Sequence, residues 1–89
     1  MKVFYRKSFL KDLKKLKKHL VYDDIFELAF ITLPEAETLR EVSSVKAMRG
    51  YSNLYRIRMG DYRIGMEVQG DMVEMVRVLH RREFYRYFP

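Results

Sequence analysis

The 89-residue chain predicts an α+β fold in which two N-terminal helices pack on one face of a mainly antiparallel four-stranded sheet. Three observations carry this expectation. Apolar residues recur at helical spacing between Phe9 and Leu33, the period changes to two from Leu54 onward, and Gly-Asp pairs fill two-residue gaps between the alternating runs. Hydrophobic residues at 48% against 34% charged exclude intrinsic disorder. No apolar run approaches the roughly 20 residues of a membrane span. One domain, residues 1–89, is expected, because a chain of this length buries roughly 60–65% of the surface that its unfolded form exposes.

Lys2 to Tyr5, with Val3 and Tyr5 on one side, reads as a first strand. Ser8 offers an N-cap to a helix whose apolar stripe is Phe9, Leu13, Leu16 and Leu20, with Lys11, Lys14, Lys15, Lys17 and Lys18 on the other faces. Asp23 or Asp24 is expected to cap a second helix, closed by Pro34. In it Ile25, Phe26, Leu28, Ala29, Ile31 and Leu33 are too many for a narrow stripe and predict deeper burial. Residues 35–47 read as an acidic loop or short helical turn leading to Met48-Arg49-Gly50.

Three strands follow at Leu54–Met59, Tyr62–Gln69 and Met72–His80, joined by Gly60-Asp61 and Gly70-Asp71, whose Gly-first order favours II′ turns. Those loops predict a register with Arg58 opposite Arg63, Arg56 opposite Gly65, Glu67 opposite Glu74 and Arg63 opposite Val78. It places Tyr55, Ile57, Met59, Tyr62, Ile64, Met66, Val68, Val73, Met75 and Leu79 under the helices, with Arg77 the one misfit. The open face receives Arg56, Arg58, Arg63, Gly65, Glu67, Glu74, Val76, Val78 and His80.

The absence of Cys removes disulfides, Cys-based zinc sites and thiol nucleophiles, and two His residues do not furnish an all-histidine metal site. No metal or other cofactor is expected. The start of the chain lacks the apolar stretch of a signal peptide, so the expected compartment is the cytoplasm, with no membrane partner. The net charge of +6 is unevenly spread: residues 1–20 hold eight basic and one acidic side chain, residues 21–48 two and six, residues 49–89 eight and five. Every basic residue from 49 onward is Arg, whose planar fork matches phosphate oxygens in pairs.

Like charges directly opposite on neighbouring strands cost a sheet roughly 0.2–1 kcal/mol, and Arg58 faces Arg63 with Arg56 two residues away. Such clustering is expected where an anion, above all a phosphodiester, sits between the forks. Gly65 leaves room opposite Arg56 for something to approach the sheet. The bland alternative is that Glu67 and Glu74, with salt, neutralise the arginines and nothing binds. His80 ends the last strand, followed at once by Arg81 and Arg82, and is a candidate general base.

The run Leu54-Tyr55-Arg56-Ile57-Arg58-Met59-Gly60-Asp61-Tyr62-Arg63-Ile64-Gly65, with Arg77-Val78-Leu79-His80-Arg81-Arg82-Glu83-Phe84-Tyr85-Arg86 at the end, resembles the RelE/ParE superfamily of bacterial and archaeal toxins. The resemblance spans nearly the whole chain. It implies a RelE-like toxin of a type II toxin–antitoxin pair, a ribosome-dependent endoribonuclease that cleaves messenger RNA without a metal by attack of the ribose 2′-hydroxyl on its own 3′-phosphate. In that reading Arg56 and Arg58 stand at the basic strand positions, Arg63 at the phosphate-contacting arginine and Arg82 at the C-terminal arginine. Tyr85 stands near the catalytic tyrosine, which RelE places farther along. RelE has Lys at both strand positions; Arg stays protonated, which leaves the general base open between His80 and another group, with His80 the better candidate because related members of the superfamily use a histidine near the C-terminus. Arg49, Arg81, Lys14 and Lys18 are expected to contact RNA, and the implied partners are a cognate antitoxin, the message and ribosomal RNA. The alternatives are a ParE-like inhibitor of DNA gyrase that acts by binding, and an inert member that binds only its antitoxin.

Overall fold

The computed structural model describes residues 1–89. β1 (Lys2–Tyr5) leads into α1 (Lys7–Lys15), and α2 (Tyr22–Glu27) passes through a π-helical turn (Leu28–Thr32) into α3 (Leu33–Glu35). A 3₁₀ turn (Leu39–Glu41) precedes β2 (Val45–Ala47), and β3 (Leu54–Met59), β4 (Tyr62–Gln69) and β5 (Met72–His80) run on to α4 (Arg81–Tyr87). The sheet order is β1-β5-β4-β3-β2, with β1 parallel to β5 and every other pair antiparallel. The expected α+β class, with helices on one face of a mainly antiparallel sheet, is what the chain adopts. Three-residue β2 makes the sheet five-stranded, and α4 covers part of the other face.

The helical stripe packs as its spacing predicts: Phe9, Leu13 and Leu16 join Ile25, Leu28, Ala29 and Leu33 over Ile57, Ile64, Met66, Val73 and Met75. Each fully buried side chain of this size contributes about 1.5–3 kcal/mol. Leu20 departs from the stripe. α1 ends at Lys15, so Leu20 falls in the following turn and is fully exposed. Ser8 lies inside α1, whose N-cap is Arg6, and its Oγ donates to the Val76 carbonyl at 2.6 Å. Asp23 and Asp24 sit in the first turn of α2, where they favour the positive end of its dipole, while Val21 holds the cap position. Pro34 lies within the last turn. Its missing N–H is compatible with the widened π turn just ahead of it, and the helix ends at Glu35. The acidic segment contains a capping box, Thr38 with Glu41.

Gly60 and Gly70 have φ of +58° and +60° while the Asp after each stays at negative φ, the II′ signature. The β3–β4 register is the expected one, Arg58 opposite Arg63 and Arg56 opposite Gly65. The β4–β5 register is as expected from Gln69–Met72 through Met66–Met75, and then a bulge absorbs one residue: Gly65 meets Arg77, Ile64 meets Val78, and Arg63 meets Leu79 instead of Val78. The reason lies at the edge of β5. β1 pairs only with Met72–Met75, so beyond Met75 the edge has no neighbouring strand. α1 takes over. Besides the Ser8 bond, the Asp12 carboxylate accepts from the Val78 N–H at 3.1 Å and from Arg77 Nε and Nη2 at 2.7 and 3.1 Å.

A straight register would force Arg77 under the helices. The bulge turns Val78 inward, 1% exposed, and lets Arg77 reach the carboxylate from the edge. The Asp12 hydrogen bond, chief among the influences on it, holds the Arg77 guanidinium above its usual range, so the charge persists at every ordinary pH. Beyond the bulge the two faces are exchanged relative to expectation: Leu79 lies on the open face, and Val78 and His80 on the helix side.

Asp12→Ala strands both a guanidinium and a backbone N–H, and urea unfolding is expected to show a loss of about 3 kcal/mol. Tyr5 supplies a second test. Its hydroxyl donates to the Ala29 carbonyl at 2.6 Å and its ring stacks on Phe30, while burial pushes the phenol above its usual value. A raised folded pKa means that this contribution is complete below the unfolded phenol value near 10 and is lost as pH rises through the folded one. Tyr5→Phe should therefore cost about 1 kcal/mol at neutral pH and flatten the alkaline decline, as melting curves across that range will show.

Candidate functional site

β3 and β4 alternate in and out of the core, so the residues between the buried Ile57, Ile64 and Met66 face away from the helices. That geometry brings Arg56, Arg58 and Arg63 together on the open face, with Arg58 and Arg63 direct cross-strand partners. Arg63 is held: its Nη1 donates to the carbonyls of Gly60 at 2.8 Å and Tyr62 at 3.0 Å, both in or beside the β3–β4 turn. Its other guanidinium nitrogens make no hydrogen bond to the protein. Arg58 is exposed and Arg56 half-buried.

The carboxylates of the same face are engaged elsewhere. Arg6, at the junction of β1 and α1, places Nη2 3.0 Å from Glu67 and 2.7 Å from Glu74, and Asn53 donates to the other Glu67 oxygen at 3.2 Å. The Glu74 hydrogen bond raises the Arg6 pKa, burial opposes it as the next largest influence, and the charges of both carboxylates add to the rise. The facing pair Glu67–Glu74 is thus relieved from the β1 side, and neither glutamate forms an ion pair with Arg56, Arg58 or Arg63. Of the eight arginines from position 49 onward, only Arg77 and Arg81 have a carboxylate within 4.0 Å. Arg56, Arg58 and Arg63 have none, which leaves a concentrated positive patch for an anion.

α4 borders this patch. Phe84 and Phe88 are buried with Leu54 against Met48, Val76 and Leu79, and the outer side of the helix carries Arg82, Tyr85 and Arg86, all exposed. Tyr85 is 57% exposed, its ring edge-on to Phe84 at 5.0 Å. Arg81 closes the start of α4 onto the β3–β4 turn, its N–H donating to the Asp61 carbonyl at 2.7 Å and its Nε lying 3.6 Å from the Asp61 carboxylate. Arg49 is exposed in the turn after Met48, on the flank of the same aromatic cluster. Lys14 and Lys18 are exposed on and just beyond α1, on the helix side of the sheet, and are not brought to the arginines. The space at Gly65 is also taken, by the ring of Phe88.

His80 does not share the arginine face. Opposite Tyr62 in the register, its ring meets that of Tyr62 edge-on at 5.4 Å. It lines a cavity of about 350 Å³ with Asp12, Lys15, Arg77, Glu83 and Tyr87. Its Nδ1 accepts the Arg82 N–H at 3.1 Å and caps α4. A neutral imidazole has one acceptor nitrogen, so the cap places the proton on Nε2 and leaves no free lone pair for a base. The residues that sequence reasoning passed over are Arg6, Asp12 and Phe88. Asp12 was signalled by its position, an acid between Phe9 and Leu13 in a helix otherwise charged only by lysine, and its partner by the misfit at Arg77.

The sequence matches, over residues 3–85, the family described as the ParE toxin of type II toxin–antitoxin systems, parDE. It is 42% identical over 90 residues to toxin RelE3 of Methanocaldococcus jannaschii, covering 100% of both chains. The fold is similar to the RelB–RelE antitoxin–toxin complex of Methanococcus jannaschii, at 40% identity and a TM-score of 0.78, covering 97% of this chain and 99% of that one. It is also similar to the archaeal RelE–RelB complex of Pyrococcus horikoshii, at 28% identity and a TM-score of 0.60, covering 90% and 93%. With the free arginine face and the β3–β4 hairpin that builds it, these likenesses show that the chain belongs to the RelE/ParE superfamily of toxins.

Proposed function

We propose that this toxin is an endoribonuclease that cuts messenger RNA on the ribosome by metal-independent transphosphorylation, with the arginine face as its phosphate site. One observation carries the reading: Arg58 and Arg63 stand opposite one another with no carboxylate partner, while the glutamates of that face are tied to Arg6. The ribose 2′-oxygen attacks the adjacent phosphorus, the bond to the 5′-oxygen of the next nucleotide breaks, and the products are a 2′,3′-cyclic phosphate and a 5′-hydroxyl. The 2′-proton leaves to a base and the 5′-oxygen gains one. Negative charge on the phosphoryl oxygens grows along the way, and the guanidinium groups of Arg63, held by the β3–β4 turn, and of Arg58 opposite it stabilise that charge more than they stabilise the substrate. Arg56 holds the neighbouring phosphate, and Arg82 and Tyr85, on the outer side of α4, act at the leaving group. Arg49 and Arg81, with Lys14 and Lys18 on the helix side, supply attraction to ribosomal RNA.

The protein is held silent by a cognate antitoxin, as the relatives seen in toxin–antitoxin complexes are paired with theirs. The match to the ParE family favours a second reading, inhibition of DNA gyrase by binding. Cleavage of ribosome-bound message by purified protein separates the two, since the second reading predicts none. No helix is long and apolar enough to cross a membrane.

Arg58→Ala and Arg63→Ala are each expected to lower the cleavage rate by about two to three decades. Arg58→Ala, being exposed, should move stability by no more than about 0.5 kcal/mol. Primer extension on ribosome-bound message together with thermal melting checks both, and full-rate cutting by both variants would overturn the assignment. His80, on the Tyr62 side of the sheet, can take the 2′-proton only by giving up the Arg82 N–H and turning toward the arginine face, which makes His80→Asn informative. Asn caps a helix as well as any residue but is no base. Cleavage retained in His80→Asn and lost in His80→Ala marks the cap as the role that matters; loss in both, with the ascending limb of the pH–rate profile gone, marks the base.

A further inference from the structure

We propose that Phe88 and Gly65 form a size-matched seat that holds α4 against the arginine face, making Phe88 a positioning residue for Arg82 and Tyr85; the catalytic half of this inference rests on the ribonuclease reading above. The glycines of the chain divide into two kinds. Gly50, Gly60 and Gly70 have positive φ and open space where a Cβ would stand, so their backbone conformation accounts for them. Gly65 has no such conformation to explain it. A Cβ there would lie 2.6–2.7 Å from Cδ1, Cε1 and Cγ of Phe88, inside the ring's contact distance. Glycine is therefore needed at 65 for the close approach of one aromatic ring and for nothing in its own geometry.

Phe88 answers this from the other side. It follows the last helical residue, its N–H donates to the Phe84 carbonyl at 2.8 Å, and it is 2% exposed with its ring stacked on Phe84 at 5.1 Å. α4 has seven residues, too few to persist as an isolated helix in water, so its structure depends on what its ends hold. At the start are the His80 cap and the Arg81–Asp61 contacts; at the end is Phe88. The floor beneath the rings is Leu54, Val76 and Leu79, and Leu79 is there because of the β5 bulge. Gly65 is the cross-strand partner of Arg56, so the seat fixes the helix beside the phosphate site. Arg82 and Tyr85 take their places on that face through the ring that fills the seat.

The test compares wild type with Phe88→Ala, Gly65→Ala, and Gly65→Ala combined with Phe88→Leu, in which a smaller side chain meets the added methyl. Amide hydrogen exchange reports the helix directly. Both single variants are expected to speed exchange over residues 83–88 by about two decades, because each removes the packing that opposes local opening, while β3–β5 keep their protection. On ribosome-bound message, kcat should fall with KM nearly unchanged, since Arg56, Arg58 and Arg63 still bind, and the double variant should recover both protection and kcat. Unchanged exchange in Phe88→Ala overturns the seat, and failure of the double variant to recover overturns the size match. Faster exchange with wild-type kcat overturns the positioning role. Should the wild type cut no message, the ribonuclease reading and the positioning role fall with it, and hydrogen exchange still decides whether the seat exists.

Discussion

The fold turns on one carboxylate at an unfinished strand edge. β1 is four residues long and β5 nine, so half of the β5 edge would meet water or another chain were it not covered. Asp12 covers it from α1 by accepting from the Val78 N–H and from Arg77 together, a charge-assisted arrangement in which Asp12 is 5% exposed. Because Asp12 bonds a backbone group as well as a side chain, it fixes the helix along the strand and the strand's own register. The bulge follows from that constraint, and from the bulge comes the placement of Leu79 on the open face under α4. A contact on the helix side of the sheet thus shapes the surface on the opposite side.

Much of this was legible in the residues. The strand limits of β3, β4 and β5, the II′ turns and the Arg58–Arg63 juxtaposition all follow from alternation and the position of two glycines, which are local signals. The bulge was not, because its cause is a residue sixty-five positions away in sequence, and a two-residue hairpin fixes register only until something inserts. The consequence fell on the candidate site. His80 sits three residues beyond the bulge, so one inserted residue moved it from the arginine face to the Tyr62 side. Arg56, Arg58 and Arg63 precede the bulge on strands that it does not disturb, and their expected face holds. The helical periodicity likewise continued past the true end of α1, since spacing alone gives Leu20 the same weight as Leu16.

Charge in this protein is sorted by position more than by amount. The open face carries both signs, and a count of its residues would read as nearly balanced. Arg6 changes the result by drawing Glu67 and Glu74 to the β1 end, where a cation from outside the face satisfies them. The arginines at the β3–β4 end are then left with each other. Cross-strand repulsion of about 0.2–1 kcal/mol is the energetic residue of that sorting, small against total stability and retained without a local partner to relieve it. A polyanion would supply the relief, and its phosphates would find guanidinium groups already in place.

The β3–β4 turn ties the two halves of the site together. Its Gly60 carbonyl, with that of Tyr62, receives Arg63, and its Asp61 carbonyl receives the first N–H of α4. One tight turn therefore sets both the arginine at the centre of the face and the origin of the helix beside it. The opposite end of that helix is set by Phe88 over Gly65, on the strand that leaves the same turn. With both ends referred to β4, the positions of Arg82 and Tyr85 relative to Arg63 are set by the β3–β4 turn and by Phe88, over a floor that includes the Leu79 turned outward by the Asp12-linked bulge. A seven-residue helix of little independent stability can in this way place side chains beside the arginine face through the contacts at its two ends.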